Sequence, residues 1–417
     1  MTDRSALTRL LLIVGAGIAA AVATGVTKVV LVVGAIVLMI MLHELGHFLT
    51  AKWAGMKVTE YFLGFGPRIW SMRRGETEYG VKAIPAGGYV KIVGMSNLDQ
   101  VDPVDEPRTY RSKPYWRRLS VAVAGSTVHM VLAFLLLYVL FTVVGLVDHD
   151  RELPRIGTIV RLEDGPSPAQ EAGLRVGDRL VAYDGTPFTR WDELRKHIRA
   201  RPDVPIAFTV ERDGEQQTLA ATPTDLSKVK VEDAEPEEAV DEPTGFVGIA
   251  PAYEVVRAGP VEAVGKSVAA IGRGTVGTFK ALGRVFSPSG VSRYTEELTG
   301  ERRSTRAEPD SPRFLSPVGF VRVAGQAADE GWREVLLLLI SINLFVGIFN
   351  MLPLLPLDGG HVAIATYEKL RSRPGRPYRV DVAKVMPVAY AVFVMIVFIG
   401  ITSIYLDIVR PLANPYE

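Results

Sequence analysis

The chain has no cysteine among its 417 residues. Disulfides and thiolate-bound zinc are therefore excluded, and no marker of redox compartment is present. Charge of one sign is also missing. The 47 Lys and Arg against 46 Asp and Glu leave a formal net charge of +1, so no basic surplus points to nucleic acid as a partner. Histidine is scarce, with six in the chain, and a metal would have to be held by a few His, Asp or Glu side chains. Apolar residues, by contrast, make up 48% of the chain. The mean hydropathy of +0.19 is high for a soluble protein and low for one lying wholly in lipid. It suits a membrane core with soluble parts, and the length allows two or three domains.

The most informative apolar run is Val29–Lys52, long enough to cross a bilayer as a helix. Its second half carries His43-Glu44-Leu45-Gly46-His47. Histidines four residues apart lie on one helix face, one turn apart, and can reach a single ion. Glu44 can reach a water on that ion, which is the HExxH arrangement of zinc peptidases. A chance HExxH in a chain of this length is expected on the order of one per cent of the time. Ionisable groups inside an apolar span are costly and read by default as functional. The plain alternative, buried histidines bonded to neighbouring helices, requires partners for three polar groups in hydrocarbon.

Residues 1–28 contain the apolar segment Leu10–Val26 and are read as an extra N-terminal span. The first membrane part, residues 29–150, continues past the motif with Lys52, Lys57, Arg68, Arg73, Arg74 and Lys82. Positive charge beside a span marks the cytoplasmic side. Tyr79–Met95, interrupted by Pro85-Ala86-Gly87-Gly88, has β-formers and no helical period. It is either a surface hairpin or one dipping toward the site with an edge strand, around Gly88, Tyr89 and Val90, free to pair with an extended peptide. Asn97–Lys113 is read as a polar loop. A second span covers Leu119–Val147, and His129 within it either bonds a neighbouring helix or supports the site. Residues 151–225 read as a soluble α+β domain, with strands at Ile156–Val160, Arg179–Tyr183 and Ile206–Glu211, a helix at Trp191–Ala200, and Asp-Gly turns at 184–185 and 213–214. Its Ser167–Phe188 stretch, with Ala172-Gly173-Leu174, Gly177-Asp178 and Asp184-Gly185, resembles a PDZ domain. That resemblance implies either a reader of extended peptide ends or a steric plug.

Residues 226–245 form an acidic linker. Residues 246–330 are read as a basic amphipathic helix at 258–286, a charged loop at 287–313 and a short helix before the next span. The second membrane part, residues 331–417, holds a span at Glu334–Leu357 and a last one at Met386–Leu406. The former ends in Asn350-Met351-Leu352-Pro353-Leu354-Leu355-Pro356-Leu357-Asp358-Gly359-Gly360-His361. Two prolines at membrane depth are tolerated where the freed backbone lines a cavity or is buried in protein. The basic residues after it, Lys369, Arg371, Arg373 and Arg376, put Asp358 at the same cytoplasmic level as His43 and His47. The fold class expected is a polytopic α-helical membrane protein of four core spans plus the N-terminal one, with a β-rich membrane-associated hairpin and an inserted α+β domain on the extracytoplasmic side.

Catalytic zinc takes three protein ligands and a water. Asp358 is the best candidate for the third. One Zn2+ ion would polarise a peptide carbonyl and acidify its water, with Glu44 moving the proton. Asn350 is a candidate to bind substrate backbone or an oxyanion, or else an interhelical hydrogen-bonding residue. His361 is read as supporting the site, or as a membrane-edge residue, in preference to a fourth ligand. A membrane helix keeps its own backbone bonds satisfied, so a substrate span has to unwind. Prolines along Gly88–Val93 should then impair cleavage if that edge receives it.

HELGH on the first core span, Gly64-Phe65-Gly66-Pro67, the AIPAGGYVKI hairpin, the PDZ-like stretch and NMLPLLPLDGGH together resemble the site-2 protease family of intramembrane zinc metalloproteases, in its RseP-like branch. The resemblance covers Leu31–Ile408. It implies His43, His47 and Asp358 as zinc ligands, Glu44 as catalytic residue, Asn350 as a substrate contact and the hairpin as a substrate clamp. It further implies a multi-pass protein of the bacterial inner membrane that cuts single-pass membrane proteins such as anti-sigma factors in regulated intramembrane proteolysis. Lipid and a peptide ligand of the PDZ-like domain would be the remaining partners. This chain has one PDZ-like domain where some relatives have two, and an extra N-terminal span. It also reads Ala124-Gly125-Ser126-Thr127-Val128-His129 where relatives often carry Ala-Gly-Pro and then Asn. The alternatives from other classes are an inactive membrane scaffold whose PDZ-like domain holds partner tails, and a zinc-using transporter. The scaffold is opposed by the intact His43, Glu44, His47 and Asp358 set, and the transporter by the lack of repeated helix pairs.

Overall fold

The computed structural model describes residues 4–95, 100–163, 165–229, 242–300, 314–373, 376, 378–412 and 414. In chain order the elements are α1 (Arg4–Ala23), α2 (Thr27–Trp53), β1 (Val58–Arg74), β2 (Thr77–Ile92), α3 (Tyr115–Val139), β3 (Leu146–Ile159), α4 (Pro168–Glu171), β4 (Arg179–Tyr183) and β5 (Thr186–Pro187). There follow α5 (Trp191–Arg199), β6 (Ile206–Arg212), β7 (Glu215–Ala221), β8 (Thr224–Asp225), β9 (Gly245–Phe246) and β10 (Ile249–Val256). The chain ends with α6 (Pro260–Val285), α7 (Pro288–Thr299), α8 (Pro317–Glu330), α9 (Trp332–Phe349), α10 (Asp358–Arg371) and α11 (Val382–Val409). These divide into two compact units, one of Met1–Phe141 with Pro260–Tyr416, the other of Thr142–Gly259.

The first unit is helical. Among the described residues, four segments are long and apolar enough to cross a membrane: Thr27–Trp53, Tyr115–Val144, Trp332–Phe349 and Ala383–Val409. The apolar part of α1, Leu7–Ala23, is shorter. Val32 and Met39 of α2, Ala324 and Ala327 of α8, and Val335 and Leu339 of α9 form one buried cluster. Ala51, Met56, Val58, Ile92, Tyr110 and Val121 form another, which joins the end of α2 to the sheet and to α3.

The two long strands are each folded on themselves. Tyr61 pairs with both Val90 and Tyr79, and Phe62 with both Tyr89 and Gly80. The 58–63 half of β1 therefore lies between the two halves of β2. The 68–74 half pairs with 77–82 alone. The resulting order is 68–74, 77–82, 58–63, 88–92, with 88–92 at an edge. Three segments differ from the sequence reading. The third span ends at Phe349 and gives way to turns, because Pro353 and Pro356 cannot continue its ladder. The second breaks its α-helix at Val139 and finishes in a π-helical turn over Leu140–Val144. Part of the stretch read as a charged loop is helix α7, started by Ser287, whose hydroxyl accepts from Gly290 N, and by Pro288 at the first position. The rest of that stretch lies outside the described residues.

The second unit is an antiparallel sheet in the order β10-β3-β4-β6-β7, with β5 on β4. Ile206, Phe208 and Val210 alternate inward along β6, and Trp191, Leu194 and Ile198 form the buried stripe of α5. They close one core with Ile156, Leu174, Leu180 and Tyr183. Asp184-Gly185 and Asp213-Gly214 have positive φ and form the two-residue turns of tight hairpins. The unit extends beyond 225, because β10 pairs with β3 and β9 with β8. The stretch read as a linker is thus bracketed by the paired strands β8 and β9, while its residues 230–241 lie outside the described residues.

Candidate metal centre

Helix α2 carries His43 and His47 on its buried face, 8% and 5% exposed. The His47 Nδ1 donates to the Val121 carbonyl of α3 at 2.7 Å. Its Nε2 then presents a lone pair, 3.2 Å from His43 Nε2. Asp358 is the first residue of α10, where a carboxylate also favours the helix N-terminus. Its Oδ2 stands 3.4 Å from His43 Nε2 and 3.3 Å from His47 Nε2, and is buried without a hydrogen-bond partner. One ligand atom from each of the three residues falls within 4.8 Å of the others. Acceptors converging at this distance repel unless a cation lies among them. Two imidazoles and a carboxylate form a donor set that suits zinc, so the residues fit the group.

Helix α3 makes this arrangement sterically possible. A Cβ on Gly125 would fall 2.5 Å from the Nε2 atoms of both His43 and His47. Only glycine lets α3 come close enough for Val121 to hold His47. Gly125 is legible in the sequence as a small residue for close helix packing, but it was not singled out as a site residue. Nor was Asn343, a fully buried amide on apolar α9. Its Oδ1 accepts from His129 Nδ1 at 2.8 Å, and its Nδ2 donates to Leu339 O at 2.8 Å. The His129 ring lies 5.0 Å from that of His43. A lone Asn in an apolar span was the signal available for finding it.

Glu44 faces the edge of the sheet. The Val90 backbone hydrogen-bonds its carboxyl, and a Cβ on Gly88 would stand 3.0 Å from Glu44 Cγ. Tyr61 fastens the sheet to α2 by donating to Met41 O at 2.7 Å. Burial, with the nearby Glu44 charge, pushes that phenol up to about 12, so it keeps its proton. The Tyr89 side chain is engaged elsewhere. It stacks on Phe62 and Phe65, donates to Glu60 and accepts from Lys82 Nζ, leaving its backbone at the edge. Asn350 caps α9, and its carbonyl accepts from Gly359 N at 2.7 Å. It thus ties the proline-broken turn to the residue after Asp358. His361 lies one turn past Asp358 on α10, its ring 6.3 Å from that of Tyr110.

Comparison with known proteins agrees with this chemistry. The model of peptidase family M50 matches residues 29–397. Zinc metalloprotease Rip1 of Mycobacterium tuberculosis is 35% identical over 410 residues, covering 93% of this chain and 98% of that protein. Rip1 of Mycolicibacterium smegmatis is 32% identical, covering 92% and 98%. A putative zinc metalloprotease of Rhizobium meliloti is 30% identical over 362 residues, covering 83% and 88%.

Proposed function

This chain belongs to peptidase family M50 and is a zinc metalloprotease, and from that premise we propose that it cuts within the membrane-spanning segments of single-pass proteins. The observation that carries this reading is the arrival of Asp358, from α10, at His43 and His47 of α2, a helix apolar enough to span a bilayer, with Glu44 beside them. His43, His47 and Asp358 are the zinc ligands. When bound, zinc polarises the scissile carbonyl and lowers the pKa of its water. The Glu44 carboxylate takes a proton from the attacking water and hands it to the leaving nitrogen. Val121 and Gly125 hold the imidazoles in register, with His129 and His361 supporting the site.

The substrate span unwinds and adds to the 88–92 edge, whose Gly88, Tyr89 and Val90 present backbone groups beside Glu44. The Asn350 amide contacts the same strand. The second unit acts as a PDZ domain on the extracytoplasmic side, as peptide reader or plug. The N-terminal helix α1 forms an extra span of this inner-membrane protein. The substrate class is that of anti-sigma factors in regulated intramembrane proteolysis. The test is cleavage of a membrane-spanning reporter by the wild type, by Glu44→Gln and by the wild type with a zinc chelator. Loss in both altered arms is expected. Equal cleavage in all three would leave a scaffold reading in its place.

A further inference from the structure

Beside the metal centre the first unit encloses a cavity of about 400 Å³. His361, one turn past Asp358, lines it on one side. Met95, three residues past the end of β2, lines it on another. The opposite wall is a face of α11 carrying Ala389, Tyr390 and Phe393. Helix α11 packs on α7 and α8 and is fastened near its C-terminus, where Asp407 accepts from Ser316 N at 2.7 Å. Nearer its N-terminus Tyr390 and Phe393 remain 61% and 54% exposed, so the cavity is open along that wall.

One end of the cavity is polar. Arg118, only 5% exposed, donates from Nη1 to Glu368 Oε2 at 2.6 Å. The same oxygen accepts from Arg379 Nη1 at 3.0 Å. Two guanidinium groups therefore share one carboxylate, and the Arg118 Nε is buried with no partner. That Nε is shut off from the cavity, and the ion pair closes one end of an otherwise apolar space.

We propose that this cavity receives a large apolar side chain of the substrate strand next to the scissile bond. The inference rests on the reading that the chain cuts unwound membrane spans. Such a strand, unwound from its helix, carries apolar side chains out of the lipid, and the cavity offers one of them an apolar place beside the metal centre. Its volume, at the low end of the roughly 300–1,000 Å³ range of ligand pockets, admits one large side chain with its backbone. Its lining includes His361, one turn from Asp358, and Met95, three residues past the end of β2.

The test uses the full chain in liposomes and a panel of membrane-spanning reporters carrying Phe or Ala at each position around the cut. The readout is the Phe-to-Ala ratio of kcat/KM. At one position Ala389→Trp should lower that ratio by roughly 10-fold or more, and Phe393→Ala should shift preference there toward Trp. Phe393→Ala alone decides the matter if the tryptophan variant does not fold. Equal losses across the panel, or no change in any ratio, overturn the proposal. A uniform loss restored by added phospholipid would make the cavity a lipid site instead. Wild-type enzyme that cuts no reporter would refute the protease reading itself, a different outcome from a flat ratio.

Discussion

Two carboxylates, one in each unit, are treated in opposite ways. In the second, the buried Asp178 is fully engaged. Arg212 reaches it twice at 2.8 Å, and Arg175 N donates to it at 2.8 Å. Asp225 likewise accepts from Ser227 and Thr244 N. In the first, Asp358 Oδ2 is buried with no hydrogen-bond partner and faces two imidazole nitrogens. Satisfied carboxylates are the ordinary condition of a protein interior. An unsatisfied one converging with two ring nitrogens marks where a ligand belongs. The same residue type therefore serves structure in one unit and chemistry in the other, and the difference lies in what surrounds it.

The sharpest way to break this contrast is to exchange the carboxylates for amides. Asp358→Asn should weaken zinc binding well beyond the roughly 10–100-fold that losing a supporting hydrogen bond costs. Asp178→Asn should lower the unfolding temperature of the second unit and keep the metal content. Zinc titration and calorimetry read both. Metal loss in Asp178→Asn would erase the distinction.

Next in size is Trp191→Ala. Trp191 is 2% exposed and donates from Nε1 to Leu153 O at 2.7 Å. Its truncation should cost the second unit about 3–5 kcal/mol, seen as faster amide exchange confined to residues 142–259. Released zinc would show that the units are not separable.

A smaller effect is expected at the sheet edge. Val90→Pro removes the edge N–H that bonds the Glu44 carboxyl, at a position where proline is compatible with a sheet. Cleavage should fall roughly fivefold, as for one backbone hydrogen bond, with zinc content retained. Unchanged cleavage would remove the edge from the substrate path.

The smallest concerns acid. Burial alone would raise the Asp225 carboxyl, but bonds from Ser227, Lys228 and Thr244 N hold it down at about 2, against an ordinary 3.8. A depressed carboxyl stabilises the fold above its ordinary value, and that contribution is lost as pH falls through the folded value. The second unit should therefore weaken between about pH 4 and pH 2, and Asp225→Asn should flatten part of that slope in acid titration. An unaltered slope would count against Asp225 as a contributor.

Local pattern carried much of this protein. The HELGH spacing on an apolar helix, the proline-broken run ending in Asp358 and the Asp-Gly turns of the second unit are readable because each depends on neighbours a few residues away. Gly125 and Asn343 were not readable in the same way. Their significance comes from elements far off in sequence, and a glycine or an amide in a span has many ordinary uses. The limits of the second unit were hidden for the same reason. Strand β10 belongs to it through pairing with β3, some hundred residues earlier, and no local period announces such a partner.

By itself, then, the sequence determined the helix that carries HELGH, the apolar segments and the residue types available to complete the site. Tertiary structure alone decided that α3 passes beneath the histidines at Gly125, that β1 inserts between the halves of β2, and that Asp358 arrives with an unpaired oxygen. The reason is physical: helix periodicity is set by contacts one turn apart, whereas close approach, strand register and desolvation are set by whatever the rest of the chain brings alongside.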